Sequence, residues 1–207
     1  MPPADTLSLR ERKKLETWNL IHHAAAELAL DEDIRCVTVE AIASEAGVSQ
    51  RTFFNYFPTK EDAILGVRSP RPPELPEGFL DGPDLLRRTT ELMLSVSRSA
   101  YSEGDAERRG RLFAKFPHLL VRRRELTMQC EDLVQRALAG AMAEHPEWSE
   151  GLHGHGVEDT ARMLTTAAGT PLRYALMAQG PLPKGQLDHE TVLDAIELFQ
   201  DLYRRLA

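Results

Sequence analysis

Apolar positions recur every three or four residues over most of this chain, the period of one face of an α-helix. Leu15, Trp18, Ile21, Ala25 and Leu28 form the first stripe, behind a basic run at positions 10–14. Thr38 suits the N-cap of a short second helix through Ala46, and Gly47 suits the left-handed turn that ends it. Ser49 can cap a third helix to about Tyr56, which Pro58 stops. Thr59-Lys60-Glu61-Asp62 then has the form of a capping box, opening a fourth helix to about Arg68.

Residues 67–83 break the pattern. Pro70, Pro72, Pro73, Pro76 and Pro83 fall there with Gly78 and Gly82, a density no continuous helix tolerates. This stretch reads as an extended linker or mobile loop. Helical patterning resumes over 84–102 and 105–116, joined near Gly104. Pro117 fits the first turn of a long helix to about Glu144, with Leu126, Cys130, Leu133, Ala137 and Ala141 on one face. After a loop at 151–156, a helix over Val157–Gln179 carries Val157, Ala161, Leu164, Ala168 and Leu172, with a kink expected at Pro171. A last helix over 189–206 aligns Val192, Ile196, Phe199, Tyr203 and Leu206. No alternating strand pattern and no internal repeat appear. The expected fold is all-α, with an N-terminal module at 1–66, a connector at 67–83 and a larger helical domain at 84–207.

Composition narrows the function. The 207 residues carry 25 basic and 32 acidic side chains, a net charge of −7, which argues against a nonspecific nucleic-acid coat. A local basic face is still compatible with that balance. Cys36 and Cys130 lie too far apart for a local metal-binding pair and read as small buried hydrophobes. The start Met1-Pro2-Pro3-Ala4-Asp5 has no secretory character, and the apolar runs are too short to span a membrane, so a cytoplasmic location is expected.

Residues 38–57 carry the chemistry. Ile42, Ala43 and Val48 let two short helices cross closely, and Gly47 makes the turn between them. That is helix-turn-helix logic, with the second helix free to enter a major groove. Phe53 and Phe57, four residues apart, should anchor it to the core, leaving Gln50, Arg51, Thr52, Asn55 and Tyr56 for other faces. Arg can donate two hydrogen bonds to guanine, Asn or Gln can pair with adenine, and Thr offers a methyl to thymine. Hydroxyls and Lys60 are reasonable phosphate donors. Ser49 to Lys60 holds two basic residues and no acidic one, whereas residues 1–66 hold 7 basic and 11 acidic. The acidity lies elsewhere. Two short packed helices of an ordinary α-protein remain the alternative on composition alone.

The pattern Thr38…Ile42-Ala43…Ala46-Gly47-Val48-Ser49…Thr52-Phe53…Tyr56-Phe57-Pro58…Lys60-Glu61 resembles the DNA-binding domain of TetR-family transcriptional regulators. The resemblance covers about residues 10–66. It implies a three-helix DNA-binding module, a C-terminal domain for dimerisation and ligand binding, and a repressor released from double-stranded operator DNA by a small-molecule effector. By position, Gln50, Arg51, Thr52 and Asn55 would face bases, with Thr38, Ser49, Tyr56 and Lys60 on phosphates. Two departures stand out. Phe54 stands where the family often has a phosphate-reaching tyrosine. The usual glycine between the first two helices is missing from 30–34, and Asp33 is expected to take the left-handed conformation instead.

In the C-terminal domain Leu92, Met93, Val96, Phe113, Phe116, Met128 and Met163 could line an apolar cavity for a lipophilic ligand, ordinary core packing being the alternative. The last two helices are the expected homodimer interface, through Leu164, Ala168, Val192, Ile196, Phe199 and Tyr203, with the small residues Ala167, Ala168 and Gly169 permitting close approach. Arg122-Arg123-Arg124 reads as a solvated face, or less simply as a site for an anionic ligand. His153-Gly154-His155 near His145 lacks acidic or Cys ligands at helical spacing, so no metal or other cofactor is expected. No nucleophile–base pair marks an enzyme. The functional alternative is a helical ligand-binding or sequestering protein whose helix-turn-helix does not bind DNA.

Overall fold

A computed structural model describes residues 8–102, 104–178 and 187–206. Residues 1–7 and Gln179 lie outside this description, and with them the expectations placed on them. Among the described residues the chain forms nine helices: α1 Leu9–Asp31, α2 Val39–Glu45, α3 Gln50–Tyr56, α4 Lys60–Leu65, α5 Leu85–Ser99, α6 Ala106–Lys115, α7 Leu119–Glu144, α8 Val157–Ala178 and α9 His189–Leu206. The all-α expectation holds.

Local chemistry sets most boundaries. Ser8 and Glu11 form a reciprocal capping box at the start of α1, so the basic run belongs to that helix. Thr38, Ser49 and Thr59 each accept a backbone N–H from the third residue on, at 3.0–3.1 Å. Gly47, at φ 66°, closes α2: its N–H reaches the Ser44 carbonyl and the Val48 N–H reaches that of Ala43. The turn after α1 is built differently from expectation. No residue of 30–38 has a positive φ, and Asp33 instead accepts the Arg35 backbone N–H at 2.9 Å. A carboxylate that folds back on the chain makes the turn without a left-handed residue.

The N-terminal core gathers Ile21, Ala25, Ile42, Ala43, Phe53, Phe57 and Ile64, with Trp18 leaning on Phe57 at a 5.1 Å centroid distance. In the C-terminal half α8 packs against α5, α7 and α9. The core face of α7 runs through Leu126, Cys130, Val134, Leu138 and Met142. Leu133, Ala137 and Ala141 stand one position aside, half-buried. Helix α8 passes through Pro171 without ending.

The proline-rich stretch is tied to neighbouring helices near both of its ends. Helix α4 ends at Leu65 rather than near Arg68, because Gly66 turns left-handed at φ 63°. Val67 then bridges Tyr101, and Arg68 N–H bonds the Ala100 carbonyl, pinning the exit of α4 to the end of α5. Further on, Leu80 is buried, and Arg88 of α5 donates to the carbonyls of Phe79, Asp81 and Pro83. His145 Nε2 lies 2.7 Å from Asp81 Oδ1. That contact commits one of the three histidines considered for metal binding.

Candidate nucleic-acid interface

The second helix of the pair presents a polar face because its apolar residues are used at its back. Phe53 and Phe57 are fully buried, 6.0 Å apart between centroids, and fix the roll of α3. Gln50, Arg51 and Asn55 are consequently exposed, and Thr52 and Tyr56 half-buried. This is the surface a recognition helix needs: long donors and acceptors free, orientation set by aromatic anchors.

The other four positions divide between structure and surface. Thr38 and Ser49 are exposed, but their hydroxyls already cap α2 and α3. Ser49 Oγ also lies 2.9 Å from Thr52 Oγ1. Lys60 is spent inward: its Nζ donates to the carbonyls of Ile34 and Val37 at 3.2 and 3.0 Å. The amine clamps the turn between α1 and α2. Phe54, 55% exposed, lies edge-on to Phe53 and puts an apolar ring on the same face of the module as the polar positions.

Charged and polar side chains bind this module to the helices behind it. His22 on α1 is buried; its Nδ1 lies 2.7 Å from the Ala63 carbonyl of α4, and its Nε2 lies 2.7 Å from Asp105 Oδ2. Burial lowers the His22 pKa, against the opposite pull of Ala63 and Asp105. Burial alone would raise Asp105, but hydrogen bonds from Ser102 and His22 outweigh it and hold the carboxyl low. Arg108 of α6 joins Asp105 to Glu27 of α1. A second tie pairs Asp62 of α4, 2% exposed, with Arg122 of α7 at 2.7 Å. Lys115 of α6 donates to the carbonyls of Leu30 and Glu32. The signal in the sequence for this burial is that His22 stands four residues before Ala26, inside an alanine-rich face of α1.

The proposed ligand and dimer residues are sorted by the fold. Met93, Val96, Phe113 and Phe116 are buried together in the C-terminal core, and Leu92 is half-buried. Met128 and Met163 are 60% and 70% exposed and line no interior; each occupies the solvent side of its helix. Ala168, Val192 and Ile196 are buried within the single chain, so they are not on a free face. Gly169 serves packing inside the chain as well, since a Cβ there would stand 3.3 Å from Met93 Cε and 2.9 Å from Arg173 Nη1. Leu164 and Phe199 are half-buried and Tyr203 is exposed. The apolar side chains left uncovered on α8 and α9 are Met163, Tyr174, Met177, Leu198, Leu202, Tyr203 and Leu206. An open cleft of about 330 Å³ lies elsewhere, between Glu91, Leu94, Ser95, Arg98 and His189.

Two short crossed helices, a left-handed glycine turn and an exposed polar face on the second helix define a helix-turn-helix DNA-binding protein. Residues 21–65 match the family model described as bacterial regulatory proteins, tetR family. Over those residues the chain carries the DNA-binding domain of tetR-family transcriptional regulators. No curated protein matches the chain. Among the described residues no helix is long and apolar enough to cross a membrane.

Proposed function

We propose that this regulator is a homodimeric repressor whose hold on its operator is released by a small, lipophilic effector. The observation that carries the reading is the distribution of exposed side chains. Gln50, Arg51 and Asn55 stand free on α3, while α8 and α9, at the far end of the chain's helix order, leave seven large apolar side chains uncovered. Large uncovered apolar faces are the mark of an association surface. Pairing two copies through α8 and α9 would form a four-helix interface and give the recognition helices a two-fold relation. Each α3 would enter a major groove, with half-sites about 34–36 Å apart or at a multiple of that spacing. Base-reading is proposed for Gln50, Arg51, Thr52 and Asn55. Phosphate contact is proposed for Tyr56 and for the exposed edges of the Thr38 and Ser49 caps, Lys60 contributing chiefly by holding the turn.

The test combines a mobility shift on DNA upstream of the protein's own gene with sedimentation at micromolar concentration. A retarded band and a dimer mass are expected, and Leu202→Asp with Tyr203→Asp should give a monomer that binds the operator at least tenfold more weakly. A monomeric wild type, or a monomeric variant with unchanged affinity, overturns the dimeric reading.

A further inference from the structure

Among the described residues, the corner where α5, α6 and α7 meet holds arginines that no acid partners. Arg108 is committed to Asp105 and Glu27, and Arg122 to Asp62 and Glu125. Their sequence neighbours Arg109 and Arg123 point elsewhere, as adjacent residues on a helix must. Among the described residues neither has a carboxylate at ion-pair distance. Arg109 is 4% exposed and, among the described residues, held only by neutral oxygens: Nη1 donates to the Ser102 carbonyl at 3.1 Å and reaches Ser102 Oγ at 3.5 Å. Among the described residues its buried Nε has no acceptor. The Arg109 guanidinium lies 4.6 Å from the centre of the Tyr101 ring, and that of Arg123 lies 5.4 Å from the centre of Phe113.

A buried cation without a counter-charge is costly, and aromatic faces offset that cost only in part. Burial lowers the pKa of both arginines. Asp105 does support the charge of Arg109, but its oxygens already serve His22, Ser102 and Arg108. Burial raises the pKa of the Tyr101 phenol, against the opposite pull of the Arg123 and Arg109 guanidiniums.

We propose that Arg109 and Arg123, with the Tyr101 and Phe113 faces beside them, form the anion-binding end of the effector site, and that the effector is a lipophilic carboxylate. The proposal rests on the effector-gated reading above. A carboxylate presents two coplanar oxygens to a guanidinium fork, and it would supply the acceptor that Arg109 Nε lacks. Half-buried Arg123 gives the corner an edge to solvent, and the aromatic faces suit an apolar body.

Thermal unfolding and titration calorimetry on the full chain would use acetate, benzoate, octanoate and decanoate, with decanol as the neutral counterpart and inorganic phosphate as a bare anion. Saturable stabilisation by benzoate or a longer carboxylate is expected, with decanol and phosphate at least tenfold weaker. Arg109→Met, which keeps the apolar stem, should weaken carboxylate binding at least tenfold and leave decanol unchanged. Half-buried Arg123→Met supplies the same readout should Arg109→Met not fold. Equal binding of decanoate and decanol, carboxylate affinity unchanged in both variants, or no saturable response to any carboxylate overturns the proposal. A mobility shift with decanoate then tests gating separately: a carboxylate that binds without releasing DNA sinks the effector reading and leaves the site standing.

Discussion

Gly66 is where the exit of the DNA-binding module meets the helices behind it, and two separable demands fall on it. Its φ of 63° lies in the left-handed region, which costs an L-residue about 1–2 kcal/mol. A Cβ there would also stand 2.7 Å from the His22 ring and 2.7 Å from Ser102 Oγ. Gly47 has the same kind of backbone, at φ 66°, but nothing within 4 Å of a Cβ. Gly47→Ala should therefore cost about 1–2 kcal/mol, the conformational share alone. Gly66→Ala must in addition displace the buried imidazole, losing hydrogen bonds that contribute about 1 kcal/mol each and stranding buried polar groups at about 1–3 kcal/mol. A total near 3–5 kcal/mol is expected. A double-mutant cycle separates the shares, because His22→Ala removes the ring contact and leaves only the rotatable Ser102 hydroxyl beside the Cβ. Urea unfolding of wild type, both single variants and the pair should give a coupling of about 1–2 kcal/mol, the second mutation costing less in the presence of the first. Additive losses, or a Gly66→Ala no worse than Gly47→Ala, would refute the steric account.

On the DNA side, Arg51→Ala should weaken operator binding by about 1–3 kcal/mol while leaving random DNA nearly unaffected. Equal losses on both in a mobility shift would make Arg51 a phosphate contact. Arg122→Met leaves the Asp62 carboxylate buried without its cation and should destabilise by about 3–5 kcal/mol. A loss below about 1 kcal/mol in urea unfolding would show a weak, solvent-screened pair. The folded His22 pKa lies below its ordinary 6.5, so the unfolded chain binds more protons as pH falls through that value. Stability should be complete above about pH 7 and decline on acidification at up to about 1.4 kcal/mol per pH unit, until the folded ring itself is protonated. His22→Gln should remove that slope; parallel urea midpoints between pH 7.5 and 5.5 would discount it.

The parts of the fold that were legible in the sequence are those specified by neighbours along the chain. Thr38, Ser49 and Thr59 cap the helices they were expected to cap, and Gly47 closes α2, because each of these interactions spans four to six residues. The anchoring of α3 by Phe53 and Phe57 follows from one apolar spacing. Where two apolar faces compete on one helix, periodicity cannot choose. On α7, 133/137/141 and 134/138/142 are both apolar runs, and only the position of α5 and α8 decides that the second is core. On α9, Val192 and Ile196 turn inward while Leu198, Leu202 and Leu206 turn outward, so one stripe could not serve both as core and as free face. The ties of the connector that were not legible are those distant in sequence: Ala100 and Tyr101 after α5, and His145 beyond α7.

The arginines of α6 and α7 show how the two ends of the molecule can act on one another. Each helix carries a neighbouring pair, and in each pair the first residue faces the DNA-binding module and the second faces the corner beside α5. Arg108 holds Glu27 and the Asp105–His22 contact, and Arg122 holds Asp62 on α4. Arg109 lies on Tyr101 and Arg123 on Phe113. Tyr101 in turn bridges Val67, at the exit of α4. An anion drawing Arg109 and Arg123 together would therefore load the same first turns of α6 and α7 that position α1 and α4. Coupling demands that the two ligands prefer different arrangements of a shared element, not merely that contacts connect them. The shared element is the α6–α7 pair, and the measurable requirement is reciprocity. Whatever factor a carboxylate removes from operator affinity, the operator must remove from carboxylate affinity. Arg122→Met, by cutting the tie to α4 without touching the corner, should shrink both factors together while leaving carboxylate binding to the free protein intact.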